Sequence, residues 1–262
     1  MFKNISSDSS HYLYQASVII PVYNASKTIA RTMESLFKQT LPKSQFEILL
    51  IDDGSTDGSG ALCDEYAKKY PDGFVKVWHQ DNKGVSAARN KGIREANGRY
   101  IFFLDSDDEF TESTIQNVID FFLNHDNEVD LVTFPIEYIN EDGTKFEHWR
   151  YRNILNESKV YHLDNPEAVY ISQTTMNICV RNDKENYFDE SMDYNEDQVY
   201  ITTVVVKKNA LGCVLDAQYL YHRTQSGGAA TGFLLLNSLD SVLKKIHIYF
   251  ELKKKYPQSS SY

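Results

Sequence analysis

Three places in the chain gather carboxylates closely enough to do chemistry. "FEILLIDDGSTDGSGALCD", residues 46–64, carries Asp52, Asp53, Asp57 and Asp64. "FFLDSDDEF" carries Asp105, Asp107 and Asp108, and "YNEDQVY" carries Glu196 and Asp197. Read from Asp53, the first stretch nearly spells a calcium loop, with Ser55, Asp57 and Gly58 in place and Asp64 at the closing position. Such a loop is entered from a helix and closed by a bidentate Glu. The lead-in here is apolar and β-rich, Gly60 stands where an aliphatic residue belongs, and Asp64 is a poor closing ligand. The alternative fits better: a buried strand delivers an acidic pair to a glycine-rich turn, the place where open parallel sheets bind ligands.

The acids of "FFLDSDDEF" repel one another unless a cation sits between them. Oxygen ligands with an open coordination sphere suit Mg²⁺ or Mn²⁺ bridging a diphosphate. The plainer alternative is an acidic turn capping a helix that begins near Thr111. As a calcium loop this stretch fails too, with Phe110 and Gln116 where Gly and Glu belong. Glu196 and Asp197, on chemistry alone, read more readily as a solvated helix start than as a catalytic pair. No G-x-x-x-x-G-K-[ST] occurs, and glycines 54, 58 and 60 do not make G-x-G-x-x-G. Any phosphate must therefore be held without those nucleotide loops.

The elements that must position these groups alternate. "ASVIIPVYN" is a strand ending near Val22, and "SKTIARTMESLFKQTL" is a helix with Ser26 as its cap. "FEILLID" is a strand, "SGALCDEYAKKYP" a helix stopped by Pro71, and "FVKVWHQ" a strand. "GVSAARNKGIREANG" is a helix closed by Gly98, "RYIFFLD" a strand, and "TESTIQNVIDFFLNH" a helix. Continuous apolar strands alternating with helices predict an α/β fold, a mostly parallel sheet with helices on both faces. Pro21–Tyr23, Asp53, Asn82–Arg89 and Asp105–Asp107 all follow strands and so converge on one rim.

The second half is less regular. "VDLVTFPIEYINEDGTKFEHWRY" reads as strands joined at "EDGT", and Glu147–Val169 is not placed. "LGCVLDAQYLYHR" reads as strand, "QSGGAATG" as a flexible loop, and "FLLLNSLDSVLKKIHIYFELKKKY" as a helical C-terminal segment. The expected organisation is a lead-in over 1–15, a ligand-binding half over 16–125, an acceptor-side half over 126–232 and a C-terminal helix over 233–262.

Composition bounds the partners. The 262 residues are 42% hydrophobic and 24% charged, ordinary globular values, with a net charge of −10 that argues against nucleic acid. Cys63, Cys179 and Cys213 give neither a disulfide framework nor a metal pattern, so a reducing cytoplasm is expected. The polar start "MFKNISSDSSHYLYQ" lacks a signal core, and no apolar run approaches the roughly 18–20 residues of a membrane span. A soluble chain is expected.

From Ser17 to Asp108, "SVIIPVYNAS", "EILLIDDGSTDGS", "NKGVSAARNKGI" and "GRYIFFLDSDD" resemble a family 2 glycosyltransferase of the GT-A fold, of the bacterial polysaccharide type. The resemblance weakens in the middle and returns at "YNEDQVY" and "YLYHR". It implies an inverting transferase that moves a sugar from a UDP-sugar to a hydroxyl of a glycan, lipid-linked, protein-linked or cell-surface acceptor. Pro21 and Tyr23 would frame the donor's base, and Asp53 would accept from the base imide. Asn82 and Arg89 would help hold the nucleotide and diphosphate. Asp105, Ser106 and Asp107 form the D-x-D segment, with Asp105 contacting donor and metal and Asp107 contacting the metal, Mn²⁺ or Mg²⁺. Asp108 could share that role. Asp197, with Glu196 beside it, would be the catalytic base. His222 is a weaker third-ligand candidate, since it reads at least as well as a side chain that only supports the strand end. The C-terminal helix, with Lys244, Lys245 and Lys253–Lys255, would pack on the body, join a second copy, or rest on the inner membrane face. Family members often continue past the point where "KKKYPQSSSY" stops. The rivals are a nucleotidyltransferase, which would show a basic glycine-rich loop where "PVYNASKT" stands, and a non-catalytic sugar- or nucleotide-binding module, which need not keep Asp197.

Overall fold

The computed structural model describes residues 12–147, 157–165, 168, 171–172, 176–192, 194–223 and 247–257. Apolar runs and amphipathic runs alternate from the start: β1 (Tyr14–Val22), α1 (Ile29–Phe37), β2 (Phe46–Asp53), α2 (Ser59–Lys69), β3 (Val75–Gln80), α3 (Val85–Glu95) and β4 (Gly98–Phe103). These four strands are parallel in the order β3-β2-β1-β4, with Ile19 opposite both Leu49 and Phe103. Every residue of β2 and of β4 is buried. A strand buried on both faces cannot alternate apolar with polar, which is why the sequence shows continuous apolar runs.

The chain continues through β5 (Glu109–Phe110), α4 (Thr114–Asn124), β6 (Leu131–Thr133), β7 (Ile136–Ile139), β8 (Lys145–Glu147), β9 (Lys159–His162) and β10 (Ile178–Arg181). Then come α5 (Glu196–Lys208), β11 (Ala210–Cys213) and β12 (Tyr219–His222). The large sheet has eight strands, β3-β2-β1-β4-β10-β6-β11-β9, in which β10 is antiparallel to both neighbours and β9 is antiparallel at the edge. A second sheet, β5-β12-β7-β8, stands beside it. The expected turn at "EDGT" joins β7 to β8, with Gly143 at φ 80°.

Four expectations need correction. Ser26 does not cap α1: the helix begins at Ile29 with no side-chain cap, and the Ser26 N–H donates to Asp57 at 3.0 Å. Gly98 does not close α3. It opens β4, where a Cβ would sit 2.3 Å from the Ala16 carbonyl carbon, so glycine is required by the approach of two strand backbones. Thr111 lies in the turn before α4, its hydroxyl 2.8 Å from that of Thr114. "LGCVLDAQYLYHR" is two strands in two sheets, because Thr111, Thr114 and Asn117 hold the Asp216 and Gln218 backbone and turn the chain.

Residues 247–255 form α6. The hydroxyls of Thr202 and Tyr249 are 3.2 Å apart, and Leu252 and Tyr256 pack against the core while Lys253, Lys254 and Lys255 face solvent. The "QSGGAATG" segment, Lys244, Lys245 and the lead-in through residue 11 lie outside the described residues. No described helix is long and apolar enough to cross a membrane.

Candidate active site

The parallel strands β1, β2, β3 and β4 end on one rim, and the loops leaving them are bonded to one another. Asn24, in left-handed conformation at φ 51°, accepts the Thr56 N–H at 2.8 Å and donates its own N–H to Ser55 Oγ at 3.1 Å. Ala25 N–H donates to Ser59 Oγ at 2.8 Å. Asp57 accepts from the Ser26 and Ser59 amides, and its bonds, that from the Ser59 hydroxyl foremost, hold its carboxyl well below the usual range. Pro21 is buried at the end of β1, and Tyr23 stands out from this interlaced pair of loops, 52% exposed.

The acids of the apparent calcium loop do not converge. Asp52 lies 2.7 Å from His79 Nδ1, Asp64 lies 3.2 Å from His79 Nε2, and Asp57 is held by the serines. Asp53 is buried and accepts from Gln80 Nε2 at 2.8 Å and from the Lys83 and Gly84 amides, each at 2.9 Å. It therefore shapes the loop that carries exposed Asn82 toward α3. Three of the roughly four acceptor positions of a carboxylate are taken, which leaves one for a ligand. Gly54, at φ +73°, lets this loop close in, since a Cβ there would lie 2.9 Å from Asn82 N.

The acidic turn after β4 is wired to the second sheet. The Tyr219 hydroxyl accepts the Asp105 N–H at 3.1 Å and donates to Asp108 at 2.8 Å, and His222 N–H donates to Asp108 at 2.8 Å. Asp108 is 1% exposed; burial, then Asp105 and Asp107, push its carboxyl up to about 8. This makes it an anchor for β12 rather than a ligand that faces solvent. Asp107 is exposed, yet neighbouring protein still strips water from its carboxyl, and this desolvation, with Asp105 behind it, raises it. Ser106 lies between them, part-exposed. Arg31 on α1 donates to the Asp107 carbonyl. His222 Nε2 sits 2.7 Å from Glu109, and burial lowers its imidazole.

Arg89 on α3 joins the two acidic regions. It is 4% exposed, donates to Asp105 at 3.0 Å and to Glu196 at 3.3 Å, and its guanidinium is raised because Asp105 and Glu196 outweigh the opposing effect of burial. Asp197 follows Glu196 in the first turn of α5, which Asn195 enters at φ 62°. Carboxylates in a first turn face the positive end of the helix dipole. Pro21, Tyr23, Asp53, Asn82 and the Asp105–Asp107 turn thus lie at or just after strand ends of this rim, and Arg89 ties the acidic turn to Glu196, the neighbour of Asp197. What the sequence hid is how many are occupied by other protein groups, and that Asn24, Asp57 and Tyr219 hold the frame. Asn24 and Tyr219 sit inside "SVIIPVYNAS" and "YLYHR", so those motifs held the signal.

Chemically, the rim offers an exposed aromatic ring, a buried carboxylate with one acceptor position to spare, and two acids able to share a cation. A third acid stands across one guanidinium from them. Among the described residues no three His, Cys, Asp or Glu side chains are grouped to hold a metal alone. A divalent ion at Asp105 and Asp107 would therefore complete its shell with water and ligand oxygens, as Mg²⁺ commonly does.

The sequence model described as "Glycosyl transferase family 2" matches residues 17–184. The Bacillus subtilis minor teichoic acid biosynthesis protein GgaB is 35% identical over 219 residues, covering 83% of this chain and 24% of that protein. The chain spans about a quarter to a half of the length of the curated relatives it matches first. Among solved structures, S. aureus TarS 1-349 in complex with UDP-GlcNAc superposes with a TM-score of 0.70 at 24% identity, covering 84% of this chain and 62% of that one. The mannosyltransferase PcManGT of Pyrobaculum calidifontis, in complex with GDP-Man and Mn²⁺, gives a TM-score of 0.67 at 16% identity, covering 96% and 70%. The fold is that of these enzymes, GT-A, as the sequence motifs implied.

Proposed function

The chain belongs to glycosyl transferase family 2, and from that premise we propose that it moves a sugar from a UDP-sugar to a hydroxyl of a cell-surface polymer of the teichoic acid type, with inversion at the anomeric carbon. The bridge Asp105–Arg89–Glu196 carries this reading. It fixes the acidic turn, where the donor's diphosphate belongs, next to the turn holding Asp197, where a base belongs. The UDP-GlcNAc bound by TarS supports the donor class, and the name of GgaB supports the acceptor class.

In this reading Tyr23 stacks on the base above Pro21, which contributes on the order of 1–3 kcal/mol, and Asp53 uses its remaining acceptor position for the base imide. Asn82 borders the nucleotide. Arg89 orders Asp105 and Glu196 and lends its charge to the diphosphate region. Asp105, Ser106 and Asp107 meet the donor's ribose, sugar and phosphates. Mn²⁺ or Mg²⁺ held by Asp105 and Asp107 would supply charge neutralisation for the departing diphosphate. Asp197 removes the acceptor hydroxyl's proton as that oxygen bonds to the anomeric carbon and UDP leaves from the opposite face. Three buried free cysteines suit a reducing compartment, and we place the enzyme in the cytoplasm.

The test is a thermal-shift panel of nucleotides with Mn²⁺ and then EDTA. A ligand at about 100 times its dissociation constant adds roughly 2.7 kcal/mol of stability. Stabilisation by UDP that needs metal and disappears in Asp107→Ala is expected. A response to GDP or CDP alone overturns the donor assignment, and silence from every nucleotide overturns the enzyme.

A further inference from the structure

Beside Arg89 on α3 stands Asn90, 2% exposed. Its Nδ2 donates to the Phe188 carbonyl at 2.9 Å and to Glu190 at 2.8 Å, while its Oδ1 accepts the Phe188 N–H at 2.8 Å. One side chain thus satisfies both backbone groups of Phe188, in a segment without regular secondary structure.

The Phe188 ring is a junction. It stacks on Tyr200 of α5 with centroids 4.0 Å apart and planes 5° from parallel. It meets the edge of Phe103, the last residue of β4, at 5.4 Å, and the Arg89 guanidinium lies 5.4 Å from its centroid. Tyr200 is one helical turn after Asp197 and shares its side of α5. Phe103 lies two residues before Asp105. The ring therefore touches the strand that delivers the acidic turn, the helix that delivers the base and the arginine that bridges them.

We propose that Asn90 is a positioning residue for the transfer reaction. By fixing Phe188 it sets the first turn of α5, and with it Asp197, at the distance from the acidic turn that proton removal requires. This rests on the reading of Asp197 as the base. A general base misplaced by an ångström loses much of its rate, while the donor's base stays seated on the loops after β1 and β2.

The experiment is steady-state kinetics on Asn90→Ala and Asn90→Ser, with active sites counted by UDP titration. Expected is a fall in kcat of about 10–100-fold with donor KM and UDP affinity within about twofold of the parent, the smaller loss belonging to Asn90→Ser. Added to Asp197→Asn, whose residual rate no longer depends on a placed base, Asn90→Ala should remove less than about threefold more. If Asn90→Ala multiplies the Asp197→Asn loss in full, or raises donor KM as much as it lowers kcat, the positioning role is overturned while the base assignment stands. If Asp197→Asn keeps full turnover, the base assignment falls and this inference with it.

Discussion

Asp108 shows how one carboxylate of an acidic turn can differ in kind from its neighbours. Its oxygens accept from the Tyr219 hydroxyl and the His222 amide, and burial raises its carboxyl to about 8. Asp108→Ala should leave those donors unsatisfied, at about 1–3 kcal/mol each, whereas Asp108→Asn keeps an acceptor for the His222 amide and should lose far less. Urea denaturation of the two variants decides it. His79 gives a second residue-scale expectation. The hydrogen bond to Asp52, with help from Asp64, raises the imidazole against the opposing effect of burial. Its stabilising contribution is therefore complete below about 6.5, the unfolded value, and is lost as pH rises through the folded value. The side chain is 48% exposed, so solvent screening keeps this below about 1 kcal/mol. His79→Gln should flatten that part of the stability–pH curve, as read by denaturation at pH 6 and pH 9 in both proteins.

At the scale of elements, the alternation from β1 to β4 was legible because each element is long and its pattern is uninterrupted. β9 and β10 were not, since four-residue strands carry little periodicity and long-range partners fix their place. Arg181 at the end of β10 bonds Asp126 and Asp130 beyond α4, contacts no local pattern announces. The same limit applies to the candidate site. Residue types and strand ends located Asp53, Arg89 and Asp105 on one rim, but not the three donors already held by Asp53 or the two acids already held by Arg89. Gly98 misled because a glycine after a helix usually ends it, and here a neighbouring strand claims it. Gly98→Ala should cost about 3 kcal/mol or more, the upper end for overpacking, since the obstacle is backbone. Thermal unfolding would show it.

At the scale of the whole molecule, the large sheet has two unlike rims. The rim where its parallel strands begin is sealed by Glu47, fully buried, which accepts from Ser17 Oγ, the Asn97 amide and Lys76 Nζ, each at 2.6 Å. The rim where they end holds the loops of the candidate site. Glu47 and Asp53 are six residues apart on β2, about 20 Å at strand spacing. Glu47→Ala breaks a buried ion pair and should cost about 3–5 kcal/mol, while kcat per folded molecule stays unchanged. A fall in kcat would mean that the two rims communicate.

Five hydrogen bonds sew Asn24, Ala25 and Ser26 to the segment from Ser55 to Ser59. A seat that is already rigid loses little chain freedom when it is filled. Uridine alone, without sugar or phosphate, should then keep a measurable share of the affinity of UDP. Asn24→Ala, which removes the acceptor of the Thr56 amide and hydroxyl and places alanine at φ 51°, should weaken uridine and UDP by the same factor. On the proposed reading, inhibitors are best grown outward from the nucleoside, starting at the end of the donor that never reacts.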